Sequence, residues 1–137
     1  MDKVIKVIKD MESRVKKSVD KKMSGYNCAQ AVACTYCDIA GMDEETVKNI
    51  TNAFGMGMGC MEGTCGSLVG AGVILGLVRK DKALSMKEMK EIMSMFHARN
   101  GSTVCKELKG IETKKALRSC NDCVADAAEF LETLLQR

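Results

Sequence analysis

The stretch Ser119-Cys120-Asn-Asp122-Cys123-Val124-Ala-Asp-Ala127-Ala-Glu-Phe-Leu131-Glu-Thr-Leu-Leu135 decides the fold. Ser119 and Asp122 suit a helix start, because a serine oxygen accepts a free first-turn N–H and a carboxylate there complements the helix dipole. Beyond them Val124, Ala127 and Leu131 return every three to four residues, the period of a helix and not of a strand. Cys120 falls in the middle of that apolar stripe and Cys123 at its edge. Nothing interrupts the pattern before Leu135.

The same reading extends back through the chain. Gly110 closes a short helix that carries Cys105 and Leu108 and that Ser102 caps. Asn100-Gly101 stops a longer helix, begun by a Ser85/Glu88 capping box, in which Met86, Met89, Ile92, Met93 and Phe96 face inward. Before it lies an apolar helix ending near Val78, entered through the glycine-rich passage of residues 55–66. Asp43 starts a helix finishing near Phe54. Asn27, with Gln30 reaching back, caps one running to Ala40, which Gly41 ends. Val4, Ile8, Met11, Val15 and Val19 mark an amphipathic first helix over residues 2–21, broken at Ser24-Gly25. The chain contains no proline to interrupt any of this. The prediction is a single all-α domain over residues 1–137, a bundle of five to seven helices without strands or internal repeats.

A chain of 137 residues buries roughly two-thirds of its unfolded surface, enough for a core without staples. Aromatic residues make up only 4%, and eleven methionines supply much of the bulk, so the core is soft. The opening residues are charged every few positions and contain no apolar signal region. The longest apolar run, Ser67 to Val78, is too short for a membrane span. A cytoplasmic location is expected, where eight cysteines stay reduced and are not a disulfide framework. Residues 1–22 hold eight Lys/Arg against four Asp/Glu within a total of +3, leaving −1 elsewhere. That basic helix reads as a solvated face. No aromatic residue is interleaved with its lysines, so no nucleic-acid partner is expected.

Cys28, Cys65, Cys105 and Cys120 each fall in the first turn of an expected helix. Free N–H donors and the positive end of the helix dipole stabilise a thiolate there. Helical phase aims all four inward, with Cys28 sharing a face with Ala31, Val32, Thr35 and Ile39. Cys34 and Cys37 lie on the other side of that helix, near Gln30, and read as structural. Cys60 and Cys123 are intermediate, being close in sequence to Cys65 and Cys120. Gly66 and Gly70, one turn apart, allow a close approach to backbone; for Gly72 and Gly76 tight helix packing is the simpler account. The glycines of residues 55–59 lack dinucleotide spacing and follow no strand, which excludes a nucleotide loop. His97, the only histidine, is expected half-buried at the border of an apolar face.

Five ordered segments carry a resemblance: Gly25-Tyr-Asn-Cys28-Ala-Gln-Ala-Val32, Phe54-Gly-Met-Gly-Met-Gly59, Cys65-Gly-Ser-Leu-Val-Gly70, Gly101-Ser-Thr-Val-Cys105-Lys-Glu-Leu-Lys-Gly110 and Cys120-Asn-Asp-Cys-Val124. Together they resemble the redox-active protein family named for its C-GCAxxG-C-C cysteine signature. The resemblance implies a small helical protein whose four signature cysteines correspond to Cys28, Cys65, Cys105 and Cys120, often encoded near transporters. Ser67 departs from the family's usual alanine.

Three chemistries follow. The first is an iron–sulfur cluster or related thiolate-held metal on Cys28, Cys65, Cys105 and Cys120, assembled by the fold because the ligand spacing is unlike ferredoxin runs. The second is thiol–disulfide exchange, since Cys34–Cys37 and Cys120–Cys123 both have redox-motif spacing, though without a thioredoxin-type strand. The third is zinc or copper(I). A redox partner or transporter-associated protein is implied in each case, and the oligomeric state stays open. Without a second histidine or a serine–acid constellation, no hydrolase is expected.

Overall fold

The computed structural model describes residues 2–137. Seven helices follow one another: α1 (Asp2–Met23), α2 (Cys28–Tyr36), α3 (Glu44–Ile50), α4 (Gly66–Arg79), α5 (Lys82–Asn100), α6 (Cys105–Lys109) and α7 (Cys120–Leu135). Among the described residues the only strand-like pairing is an isolated bridge between Thr64 and Val104. The all-α expectation holds. No helix among the described residues is long and apolar enough to cross a membrane.

Helix α2 is the buried centre. Every residue from Cys28 to Tyr36 is shielded from solvent, and α4 crosses directly over it. Gly70 makes that crossing possible, because a Cβ there would collide with the Ala29 carbonyl oxygen. Helices α1, α5 and α7 close the remaining sides around Val32, Leu68, Ile74, Ile92, Phe96 and Leu131. Buried polar ties fix the packing. The Tyr36 hydroxyl donates to Glu132 at 2.8 Å, and Arg79 joins Glu88 of α5 to the Leu134 carbonyl of α7.

Several boundaries differ from the sequence reading. Helix α2 ends at Tyr36 and turns occupy the following residues, so Ile39 leaves the inward face and is exposed. Helix α3 ends at Ile50, not Phe54. Helix α5 begins one turn earlier than its expected Ser85/Glu88 box. Asp81 is the cap, accepting from the Leu84 N–H at 2.8 Å, while Glu88 is buried against Arg79. Met86 therefore faces out at 64% exposure, and His97 is exposed, not half-buried. Helix α6 is preceded by Val104, although Ser102 does accept from the Val104 N–H at 3.0 Å. At 22 residues α1 outruns α7 at 16, which leaves Val4 and Ile8 exposed while Val15 and Val19 reach the core. Gly76 packs against nothing within 4 Å, so tight packing does not account for it.

Candidate functional site

Cys28, Cys105 and Cys120 are the first residues of α2, α6 and α7, and Cys65 is the N-cap of α4. All four line one cavity of about 70 Å³, together with Cys123 and with Lys22, Lys109 and Arg118. Local sequence explains how they get there. Asn27 and Gln30 exchange the two bonds of a capping box at 2.8 and 3.0 Å, and Asn27 also donates to the Thr51 and Asn52 carbonyls. That clamps the start of α2 against the end of α3. Ser119 accepts from the Asp122 N–H at 3.1 Å and starts α7 at Cys120.

Backbone bonds lace the other two cysteines together. The Cys65 N–H donates to Thr103 at 2.8 Å, and the Cys105 N–H donates to Gly63 at 3.0 Å. Gly57, held at a positive φ of 55°, lies so close to Cys105 that any Cβ would strike its side chain. The loop that brings Gly57 there spends backbone strain. Met56, Met58 and Met61 all adopt left-handed φ, a conformation that costs L-residues about 1–2 kcal/mol each. Met56 forms part of the cavity wall. Gly66 supplies another part, since a Cβ there would come within 3.3 Å of the Cys28 Cβ and 2.7 Å of the Phe54 carbonyl oxygen.

The thiols sort into two neighbouring sets, Cys28 with Cys120 and Cys65 with Cys123. The Cys28 thiol holds Cys120 down at about 6, against the opposing effect of burial, with Lys109 and Lys22 adding attraction. Cys65 is held at about 7 by the Cys123 thiol, again against burial, and by the Ser67 side chain and N–H. The Ser67 hydroxyl lies 3.0 Å from its sulfur. Cys28 and Cys123 are pushed far up by those same neighbours and by burial. Burial also raises Cys105. Each set therefore pairs a thiol held low with one held high.

Exposure separates the two sets. Cys120 is partly exposed, whereas Cys123 is only 2% exposed. This reverses the expected order, in which Cys120 sat mid-stripe and Cys123 at the edge. The first residue of α7 meets the cavity mouth, and one turn later the helix has entered the core. Among the described residues no three Cys, His, Asp or Glu side chains converge to hold a metal ion.

The remaining cysteines lie elsewhere. Cys34 and Cys37 are core thiols donating to the Glu44 and Cys34 carbonyls at 3.9 and 3.3 Å, and burial pushes Cys34 up to about 11. Cys60 is exposed on the glycine-rich loop and does not line the cavity. Lys22, Lys109 and Arg118 had no signal in the sequence, because their role depends on where α1, α6 and the segment before α7 bring them.

The family model described as "Putative redox-active protein (C_GCAxxG_C_C)" matches residues 26–134. The chain belongs to this family. Within the C_GCAxxG_C_C protein Cys28, Cys65, Cys105 and Cys120, which the resemblance matches to the signature, all line the cavity together with Cys123. No curated protein and no solved structure matches the chain significantly.

Proposed function

We propose that this C_GCAxxG_C_C protein performs thiol–disulfide exchange, with Cys120 as the attacking thiolate, Cys28 as the resolving thiol, and Cys65 with Cys123 as a second dithiol behind them. The observation that carries this reading is the placement of Cys28 and Cys120, from two different helix starts, on one cavity where Cys120 is partly exposed and held low. An attacking thiol works best when its pKa lies near ambient pH, which suits Cys120.

The reaction balances as two exchanges. Cys120 attacks a substrate disulfide, forming a mixed disulfide and releasing one substrate thiolate. Cys28 gives its proton to that thiolate and attacks the Cys120 sulfur, forming the Cys28–Cys120 bond and expelling the second substrate thiolate. Two electrons pass from protein to substrate, and a redox partner returns them.

The test is to equilibrate anaerobically prepared protein across thiol/disulfide buffers, trap the thiols, and assign bonds by mass spectrometry. A reversible Cys28–Cys120 disulfide that titrates as a two-electron couple and is lost in Cys120→Ser supports the reading. Absence of any disulfide among the pocket cysteines overturns it. So does stoichiometric iron and acid-labile sulfide after anaerobic reconstitution, which would establish a cluster in its place.

A further inference from the structure

We propose that the cavity takes a small anion containing a reactive sulfur–sulfur bond, steered by Lys22 and Lys109 onto Cys120. The inference rests on the exchange reading above and names its substrate class. No carboxylate lines the cavity, and apart from the thiols its charged residues are Lys22, Lys109 and Arg118. Arg118 is committed, since its guanidinium holds Asp126 at 3.0 and 3.1 Å. Lys22 and Lys109 make no ion pair with a carboxylate among the described residues. Both line the cavity beside Cys120, and their positive charge favours its thiolate.

Size narrows the ligand. A cavity of about 70 Å³ that opens to solvent at Cys120 admits one end of a small ion and not a protein loop. Charge then narrows it further. In the dithiol state the Cys120 thiolate partly balances the two ammonium groups. Once Cys120 enters a disulfide that negative charge is gone, and the excess of positive charge around the cavity grows. An anionic substrate restores the balance at the step where the thiolate is consumed.

Tetrathionate is a usable probe of this class. Cys120 displaces one thiosulfate and becomes an S-thiosulfonate, whose negative end stays beside the lysines. Cys28 then releases its proton to solvent and displaces the second thiosulfate, closing the Cys28–Cys120 bond. One tetrathionate, one thiolate and one thiol thus give one disulfide, two thiosulfates and one proton.

The experiment compares oxidation rates by tetrathionate and by neutral bis(2-hydroxyethyl) disulfide, with bonds assigned by mass spectrometry. It uses the wild-type chain, the double variant Lys22→Gln/Lys109→Gln, and Lys48→Gln as a control. Lys48 packs over the Tyr26 ring and does not line the cavity. The ratio of anionic to neutral rate is expected to fall roughly tenfold in the double variant and to hold in the control. A ratio that the double variant leaves unchanged overturns the anion inference while the exchange reading stands. If neither oxidant forms the Cys28–Cys120 bond, the exchange reading falls and the inference with it.

Discussion

Cys28 and Cys120 open α2 and α7 and line the same cavity, where each is the leading influence on the other's titration. Only tertiary structure brings them together, so the reactivity of Cys120 is a property of the folded chain. Iodoacetamide alkylation of Cys120, followed by intact mass, is expected to reach half its plateau rate near pH 6. An ordinary thiol does so at about 8.5. Removing that neighbour in Cys28→Ala should move that midpoint upward. A midpoint unchanged by the variant would mean that the lysines and the helix dipole hold the thiolate without Cys28.

The same shift gives a stability trend with a definite sign. Cys120 titrates lower in the folded chain than in the unfolded one, so its thiolate contributes stability that is complete above the ordinary thiol pKa. That contribution is lost as pH falls through about 6. Urea midpoints of wild type and Cys120→Ser, measured across that window, are expected to converge at the acid end.

The helix starts were legible because each carries its own local chemistry. Asn27 with Gln30, Asp43 and Ser119 all cap where their side chains say they should. Two of those caps put Cys28 and Cys120 at helix starts, whereas α4 and α6 begin at Cys65 and after Val104 without a side-chain cap. The sorting of the thiols into pairs was not legible, since it depends on how α2, α4 and α7 are packed against one another. Cys123 shows the difference. Its spacing from Cys120 announces a motif, yet Cys65 is the leading influence on it. Helix ends were read less well, because α2 stops at Tyr36 with no glycine or proline to mark the place.

Ser85 tests the corrected start of α5. Had it been the cap, Ser85→Ala would cost about 1 kcal/mol. Its Oγ is instead buried inside the helix without a hydrogen-bond partner. Removing an unsatisfied buried hydroxyl is expected to leave stability unchanged or to raise it by up to about 1 kcal/mol. Asp81→Ala, which removes the actual cap, should cost about 1 kcal/mol. Urea denaturation of the two variants should shift in opposite directions or, for Ser85→Ala, not at all.

Two glycines of α4 give a second contrast. A methyl group at Gly70 would be driven into the Ala29 backbone carbonyl, which cannot yield without parting α2 from α4. Gly70→Ala should therefore lose about 1–3 kcal/mol or more. At Gly76 a Cβ meets nothing within 4 Å. Gly76→Ala should gain up to about 1 kcal/mol of helix propensity. Thermal melts of both variants, with Gly70→Ala also losing the Cys28–Cys120 disulfide under mild oxidation, would tie helix packing to the geometry of the pocket.

Asp126 couples the core to that pocket. Its carboxylate is buried and accepts from Arg99, Asn100 and Arg118, and Arg118 lines the cavity. Asp126→Ala leaves these donors without their acceptor and should cost about 3–5 kcal/mol. Asp126→Asn keeps an acceptor of the same shape but withdraws a negative charge that adds, after Cys65 and burial, to the upward push on Cys123. The guanidinium of Arg118 would then face the thiols without its counter-charge. In that variant the pH midpoints for alkylation of the pocket thiols are expected to fall, and oxidation by tetrathionate should accelerate relative to the neutral disulfide. Unshifted midpoints in a folded Asp126→Asn protein would show that the ion cluster supports the helices without any electrostatic hold on the sulfur atoms beside it.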